Sequence, residues 1–187
     1  MEEIPYMQIE TTAIQDVFEI TFPQFGDARG NFSPLYNATV FAQKGLISSF
    51  CRVNQSYSAQ KGTLRGLHYQ REPYQEAKLL RVLQGKIWDI ALDIRKGSPT
   101  FGKYHGVYLE AGFTTPPKMF YIPPGCAHGF ITLTDNVVVE YLCSSEYKTS
   151  HEGIIRWNDP LFAIDWPIEI TEISEKDLIA PDFQPIL

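Results

Sequence analysis

Cysteine is scarce in this chain. Cys51, Cys126 and Cys143 stand far apart in 187 residues. An odd count at that spacing argues against a disulfide framework, and no CxxC pair is present to hold zinc. Reduced thiols in the cytoplasm are the plain expectation. Positive charge is also thin: 16 lysines and arginines face 22 aspartates and glutamates, a net charge of −6. Nucleic acid is therefore not an expected partner, because such binders need a basic surface that displaces counterions. An anionic small molecule is still admissible, since screening limits charge effects to roughly 8–10 Å and a few arginines can dominate one cleft. Long apolar runs are missing too. The longest uncharged run, Met119 to Thr134, is interrupted by Pro123-Pro124-Gly125 and cannot span a membrane. The opening MEEIPYMQIETT is acidic and lacks a signal-peptide apolar region. No internal repeat, low-complexity segment or linker is visible.

What is present is a globular composition, 44% hydrophobic and 13% aromatic. It predicts one domain over residues 1–187 with a core that needs no staples. From Phe50 to Cys143 the apolar period is two. In IWDIALDI, Trp88, Ile90, Leu92 and Ile94 share one face, and Asp89, Ala91 and Asp93 share the other. Val82 to Ile87, centred on Gly85, reads as a hairpin turn between two strands. Gln8 to Phe25 predicts two strands around the turn-like FPQFGDARG. Many short strands with regular turn signals indicate an all-β sandwich or barrel. Two short helices are expected at its periphery. Asn37 to Gly45 has a capping asparagine and a terminal glycine, and SEKDLIAPDF starts at Ser174 and stops at Pro181.

The polar residues concentrate between Lys61 and Arg81, where Arg65, His68 and Lys78 fall close together. Arg65 offers a planar fork for phosphate oxygens. His68 is suited to proton abstraction near neutrality, and Lys78 can face a developing oxyanion. Strict alternation would send Arg65 and His68 to opposite faces, so both reach one site only if Gly66 supplies a bulge. A second histidine, His128, ends the run Pro124-Gly125-Cys126-Ala127-His128. This PxGxxH run resembles the second motif of the cupin barrel. Metal-binding cupins carry HxH in the first motif. Here the first motif reads His68-Tyr69-Gln70, and Gln70 is a poor metal ligand, so a cupin-type jelly-roll barrel with no metal is expected. His105 and His151 have no evident partners and are expected at the surface.

The runs RGLHYQ, KLLRVLQGKIWDIALDIRKGSPTFGKY, YIPPGCAHGF, EYLCSSEY and IRWNDPLFAIDWP together resemble the dTDP-4-dehydrorhamnose 3,5-epimerase family, from about Gly26 to Pro181. The resemblance implies a cofactor-independent homodimeric jelly-roll enzyme. Its substrate would be a nucleotide-diphosphate 4-keto-6-deoxyhexose, inverted at C3 and C5 through an enolate. It implies His68 as base, Tyr141 as acid, Asp177 as partner of His68, and Lys78 as the enolate-stabilising cation. Arg29, Asn54, Arg65 and His128 would bind the diphosphate or sugar. Tyr147 would stack on the base, and Glu152 and Lys176 would contact substrate. In VVVEYLC, Tyr141 shares a face with Val137, Val139 and Cys143 and can point into a barrel. An ordinary core tyrosine has the same pattern. Ser174 and Asp177 also fit a capping box. In the family the N-terminal strands often pair across the dimer, which would carry Arg29 to the neighbour's site.

Two positions depart from the family. Pro34 stands where a glutamate is usual, and Arg52-Val53-Asn54 replaces Gln-Asp-Asn. The base (thymine, cytosine or another), and inversion of one carbon or both, stay open at this point. A metal-dependent cupin using His68 and His128, or a non-catalytic sugar-nucleotide module, are the competing classes.

Overall fold

The computed structural model describes residues 7–184, so the acidic stretch 1–6 lies outside the described residues. The period-two runs become strands. In chain order these are β1 (Gln8–Thr11), β2 (Phe18–Thr21), β3 (Phe25–Asp27), β4 (Gly30–Phe32), β5 (Arg52–Ser58), β6 (Thr63–Gln70) and β7 (Lys78–Gln84). There follow β8 (Lys86–Asp93), β9 (Tyr104–Glu110), β10 (Lys118–Ile122), β11 (Cys126–Thr132), β12 (Val137–Cys143), β13 (Glu152–Ile154) and β14 (Glu172–Ile173). One sheet has the order β1-β2-β10-β7-β12-β5, and a second has β13-β6-β11-β8-β9 with β14 added beside β6. Apart from the parallel β14–β6 pair, neighbours are antiparallel. The architecture is a cupin-type jelly roll.

Alternation of side chains places one apolar set between the sheets and another outside each of them. Leu80, Phe120, Val137 and Val139 from the first sheet meet Ile87, Ala91, Val107 and Phe130 from the second. The outer face of the first sheet is covered by Phe22, Phe41 and Leu46 over Leu79, Met119 and Tyr121. The outer face of the second carries Trp88, Ile90 and Leu92, covered by Ile155, Phe162 and Trp166. Strand β8 is thus buried on both faces, which is why IWDIALDI is apolar at almost every position while keeping two faces.

Helix α1 (Ala38–Gln43) is one of the covers. Asn37 Oδ1 accepts from the N–H groups of Thr39 and Val40 at 3.0 and 3.2 Å, and Gly45 at φ +75° ends the helix. Helix α2 (Glu175–Leu178) starts at Ser174 as expected but ends three residues before Pro181.

Two expectations are corrected. Gly85 does not join a hairpin. At φ +79° it carries the chain from β7 in the first sheet to β8 in the second, where each strand takes other partners. A Cβ there would meet Thr134 Oγ1 at 2.7 Å and Val137 Cγ2 at 2.8 Å, so glycine marks a tight corner whose direction is set by those neighbours. Second, FPQFGDARG is more than a turn. From Phe25 onward it forms, with Asn31 and Phe32, a small hairpin of its own, β3 with β4, while β1 and β2 pair with each other before it.

Candidate active site

The site is built on β6 and the strands that face it. Opposite β6, His128 of β11 pairs with His68, and Phe130 pairs with Arg65. Two residues, Gly66 and Leu67, therefore face the single Gly129. That extra residue is a bulge, and it reverses the alternation so that Arg65 and His68 line the same cavity. Gly66 sits at φ +121°, and a Cβ would lie 2.6 Å from Gly129 Cα, so no other residue fits.

His68 Nε2 lies 2.6 Å from Asp177 Oδ1. Ser174 caps α2 by accepting from Asp177 N–H, which fixes the aspartate's place, and Gly66 N–H donates to the other carboxylate oxygen at 3.3 Å. Only the Ser174 half of the capping box forms, and the Asp177 carboxylate is spent on His68 and Gly66. Burial opposes ionisation of Asp177, but the bonds from His68, Gly66 and Ser174 outweigh it and hold the carboxyl below its ordinary value. A carboxylate at Nε2 takes the proton-bearing nitrogen of the neutral ring. The lone pair is then on Nδ1.

Tyr141 enters from β12 in the opposite sheet. Burial, then the nearby Cys143 and Glu76, push its phenol above 10, so it stays protonated at neutral pH. Lys78 opens β7, with its side chain only 10% exposed and Nζ 3.5 Å from Glu76 Oε1. His68, Lys78 and Tyr141 line both of two adjoining cavities, of about 370 and 410 Å³. The first also takes in Arg65, His128, Lys176 and Asp177. The second takes in Asn54, Tyr147 and Glu152. Arg65 is steadied by Ser58 Oγ and the Tyr57 carbonyl, at 3.0 and 2.7 Å. Lys176 Nζ bonds Glu152 Oε1 at 2.7 Å, joining the two cavities' walls. Asn54 Nδ2 contacts Cys143 Sγ at 3.5 Å.

Of the residues singled out in the sequence, Arg29 alone lies elsewhere. It is exposed on the β3–β4 hairpin, paired with Asp27, and lines neither cavity of its own chain. The histidines set aside as partnerless surface groups are also corrected. His105 Nε2 lies 2.9 Å from Glu19 Oε1, and His151 contacts Ser150 Oγ and the Tyr74 ring. Their partners sit on distant strands or in loops, which a local pattern does not reveal.

Two residues escaped the sequence reading. Asp89 is fully buried beneath His128, Oδ1 to Nε2 at 2.9 Å, and burial pushes its carboxyl up despite His128. Its place on the inward face with Ala91 was the available signal. Glu76 receives Lys78, Gln70 and Arg52; its spacing of two from Lys78 was the signal. His68 and His128 each commit Nε2 to a carboxylate, and among the described residues no three His, Cys, Asp or Glu side chains converge as a metal site.

The fold and the cavity define a class: a cupin-type jelly roll whose two sheets bring a carboxylate-paired imidazole and a protonated phenol to one cleft with cations beside them. The family model described as dTDP-4-dehydrorhamnose 3,5-epimerase matches residues 11–185. A Shigella flexneri protein of that name is 41% identical over 178 residues, covering 95% of this chain and 96% of its own length. A crystal structure of the Bacillus anthracis enzyme with TDP and PPi bound superposes with a TM-score of 0.89 at 39% identity, over 95% of this chain and 99% of that one. The Legionella pneumophila enzyme, solved in complex with dTDP-4-keto-L-rhamnose, gives 0.86 at 38% identity, over 96% and 100%. This chain belongs to the dTDP-4-dehydrorhamnose 3,5-epimerase family.

Proposed function

We propose that this chain is an epimerase that inverts C3 and C5 of dTDP-4-dehydro-6-deoxyglucose, giving dTDP-4-dehydrorhamnose. The observation that carries the reading is the His68–Asp177 pair at 2.6 Å on one sheet wall, with Tyr141 entering the same cleft from the other sheet. Each reacting carbon is next to the C4 ketone. His68 Nδ1 takes the proton from that carbon, and the C–H electrons move into the ring as an enolate whose charge rests on the C4 oxygen. The Lys78 ammonium faces that oxygen. Tyr141 then returns a proton to the opposite face of the carbon, the enolate collapses to the ketone, and solvent resets Tyr141 and His68. Base and acid on different walls give inversion where a single group would give exchange with retention. The balance needs no oxidant or cofactor.

Arg65, His128, Asn54, Tyr147, Glu152 and Lys176 supply the binding groups in this reading. Arg29 serves a neighbouring chain's site in a homodimer. The exposed hairpin with Phe25 and Phe32, and the outward Val53 and Tyr57 on the edge strand β5, support such an assembly. Among the described residues no helix is long and apolar enough to cross a membrane. A cytoplasmic location belongs to the same reading.

The test is proton NMR in deuterium oxide with dTDP-4-keto-6-deoxyglucose. Loss of both the C3 and C5 proton signals is expected, and His68→Ala should abolish it. Full exchange by that variant would remove His68 from the role of base. Exchange at one carbon alone would replace the proposal by a single inversion.

A further inference from the structure

Gln70 closes β6 two residues after His68 and on the same face. It is 4% exposed, so its carboxamide must find partners within the protein. It finds four. Nε2 donates to the Tyr74 carbonyl at 2.9 Å, the Glu146 carbonyl at 3.1 Å and Glu76 Oε2 at 3.2 Å, two hydrogens shared among three acceptors. Oε1 accepts from the Lys148 N–H at 2.7 Å.

Two of these partners bracket Tyr147. The Glu146 carbonyl and the Lys148 N–H belong to the peptide groups on either side of it, so one buried carboxamide holds both. The chain leaving β12 is tied down earlier, by Ala77 against Ser144 and by Arg52 against the Ser145 carbonyl. From the Glu146 carbonyl to the Lys148 N–H, the bonds among the described residues come from Gln70. Tyr147 is 48% exposed, so core packing cannot fix its ring. Its place at the wall of the 410 Å³ cavity is inherited from the backbone beneath it. The bonds to Tyr74 and Glu76 anchor the same carboxamide to the stretch between β6 and β7, so the clamp spans both loops beside the cavity.

We propose that Gln70 is a positioning residue that holds Tyr147 ready for the base of the bound nucleotide sugar. This rests on the substrate reading above, in which Tyr147 is a binding group, and assigns the residue that sets its place. A loop ordered before binding has less freedom to lose when the ligand arrives.

The experiment is titration calorimetry with dTDP on the full chain, Gln70→Met, Tyr147→Ala and the double variant. Methionine keeps the shape of the buried side chain without its amide. Glu146 and Lys148 are exposed, so water can take up their freed backbone groups, and a melting curve checks that the fold is kept. Tyr147→Ala is expected to weaken dTDP roughly tenfold and Gln70→Met roughly fivefold. The double variant should bind no more than about twofold worse than Tyr147→Ala, because a clamp has nothing to position once the ring is gone. Steady-state turnover of Gln70→Met should place most of its loss in KM rather than kcat. In the unmutated chain the Lys148 amide should exchange its hydrogen at least about tenfold more slowly than a free-loop amide. Exchange at the free-loop rate would overturn the proposal whatever the variants do. Losses that multiply in the double variant would overturn it and give Gln70 a general structural role. Full dTDP affinity in Gln70→Met would overturn it while leaving the substrate reading intact. Failure of the unmutated chain to bind dTDP would overturn both.

Discussion

At the scale of single residues, the tautomer of His68 carries the chemistry. Asp177 accepts from Nε2 and leaves Nδ1 as the base. In Asp177→Asn the side-chain amide can instead donate to Nε2, moving the proton to Nδ1, the wrong nitrogen. Such a variant should fold and lose roughly 10²–10⁴ in kcat, measured by the rate of deuterium uptake. Asp93 makes a prediction of another kind. It is fully buried, and although burial opposes its ionisation, Arg95, Ser98 and Thr100 bring its carboxyl down to about 2. A depressed carboxyl stabilises the fold above its unfolded value and loses that contribution as pH falls through the folded value. Thermal melts should therefore show the unmutated chain losing stability between pH 3.8 and about 2. Asp93→Asn should be less stable at pH 7, on the order of 2 kcal/mol, and flatter across that window.

Elements decide where these residues point. The β6 bulge at Gly66 is the device that puts Arg65 and His68 in one cleft. Gly66→Ala adds a Cβ 2.6 Å from Gly129 Cα at a φ that L residues avoid, so β6 and β11 must part or shift register. A loss of roughly 2 kcal/mol or more is expected, seen as a lower melting temperature, with activity falling further because His68 moves away from Asp177. Helix α1 offers a milder case. Asn37→Ala removes the acceptor for Thr39 and Val40 N–H and should cost about 1 kcal/mol in chemical denaturation, with deuterium uptake unchanged, since the helix covers the first sheet from outside.

The whole molecule is a two-sheet body with apolar packing inside and outside, and its centre should be the least tolerant part. Phe120 is fully buried between the sheets with Leu80, Phe130 and Val139. Phe120→Ala should cost roughly 3–5 kcal/mol in urea unfolding, with the cavity walls loosened on both sides. The same scale holds the assembly prediction. Arg29 and Phe32 extend away from their own cavity on an exposed hairpin, and the chain is expected to sediment as a dimer; a monomer at micromolar concentration would contradict the role given to Arg29.

Local chemistry is what a sequence carries, and it was enough for much of this protein. Alternation marked the strands from Phe50 to Cys143 and the inward face of Tyr141, because a side-chain period of two is a property of each strand alone. Asn37, Gly45 and Ser174 marked helix ends by backbone rules that span three or four residues. The crowding of Arg65, His68 and Lys78 pointed to a polar cleft and made a bulge at Gly66 the condition for sharing it, and the pairing of β6 with β11 supplied that bulge. Partnership was decided only by tertiary structure. Whether Gly85 turned β7 back upon itself or onto another sheet depended on Thr134 and Val137, some fifty residues away. His68 meets Asp177 across a separation of 109 residues, and Asp89 and Glu76 take their meaning from His128 and Arg52. Such contacts are set by which sheet faces which, a balance of packing over the entire core that no short stretch of chain encodes.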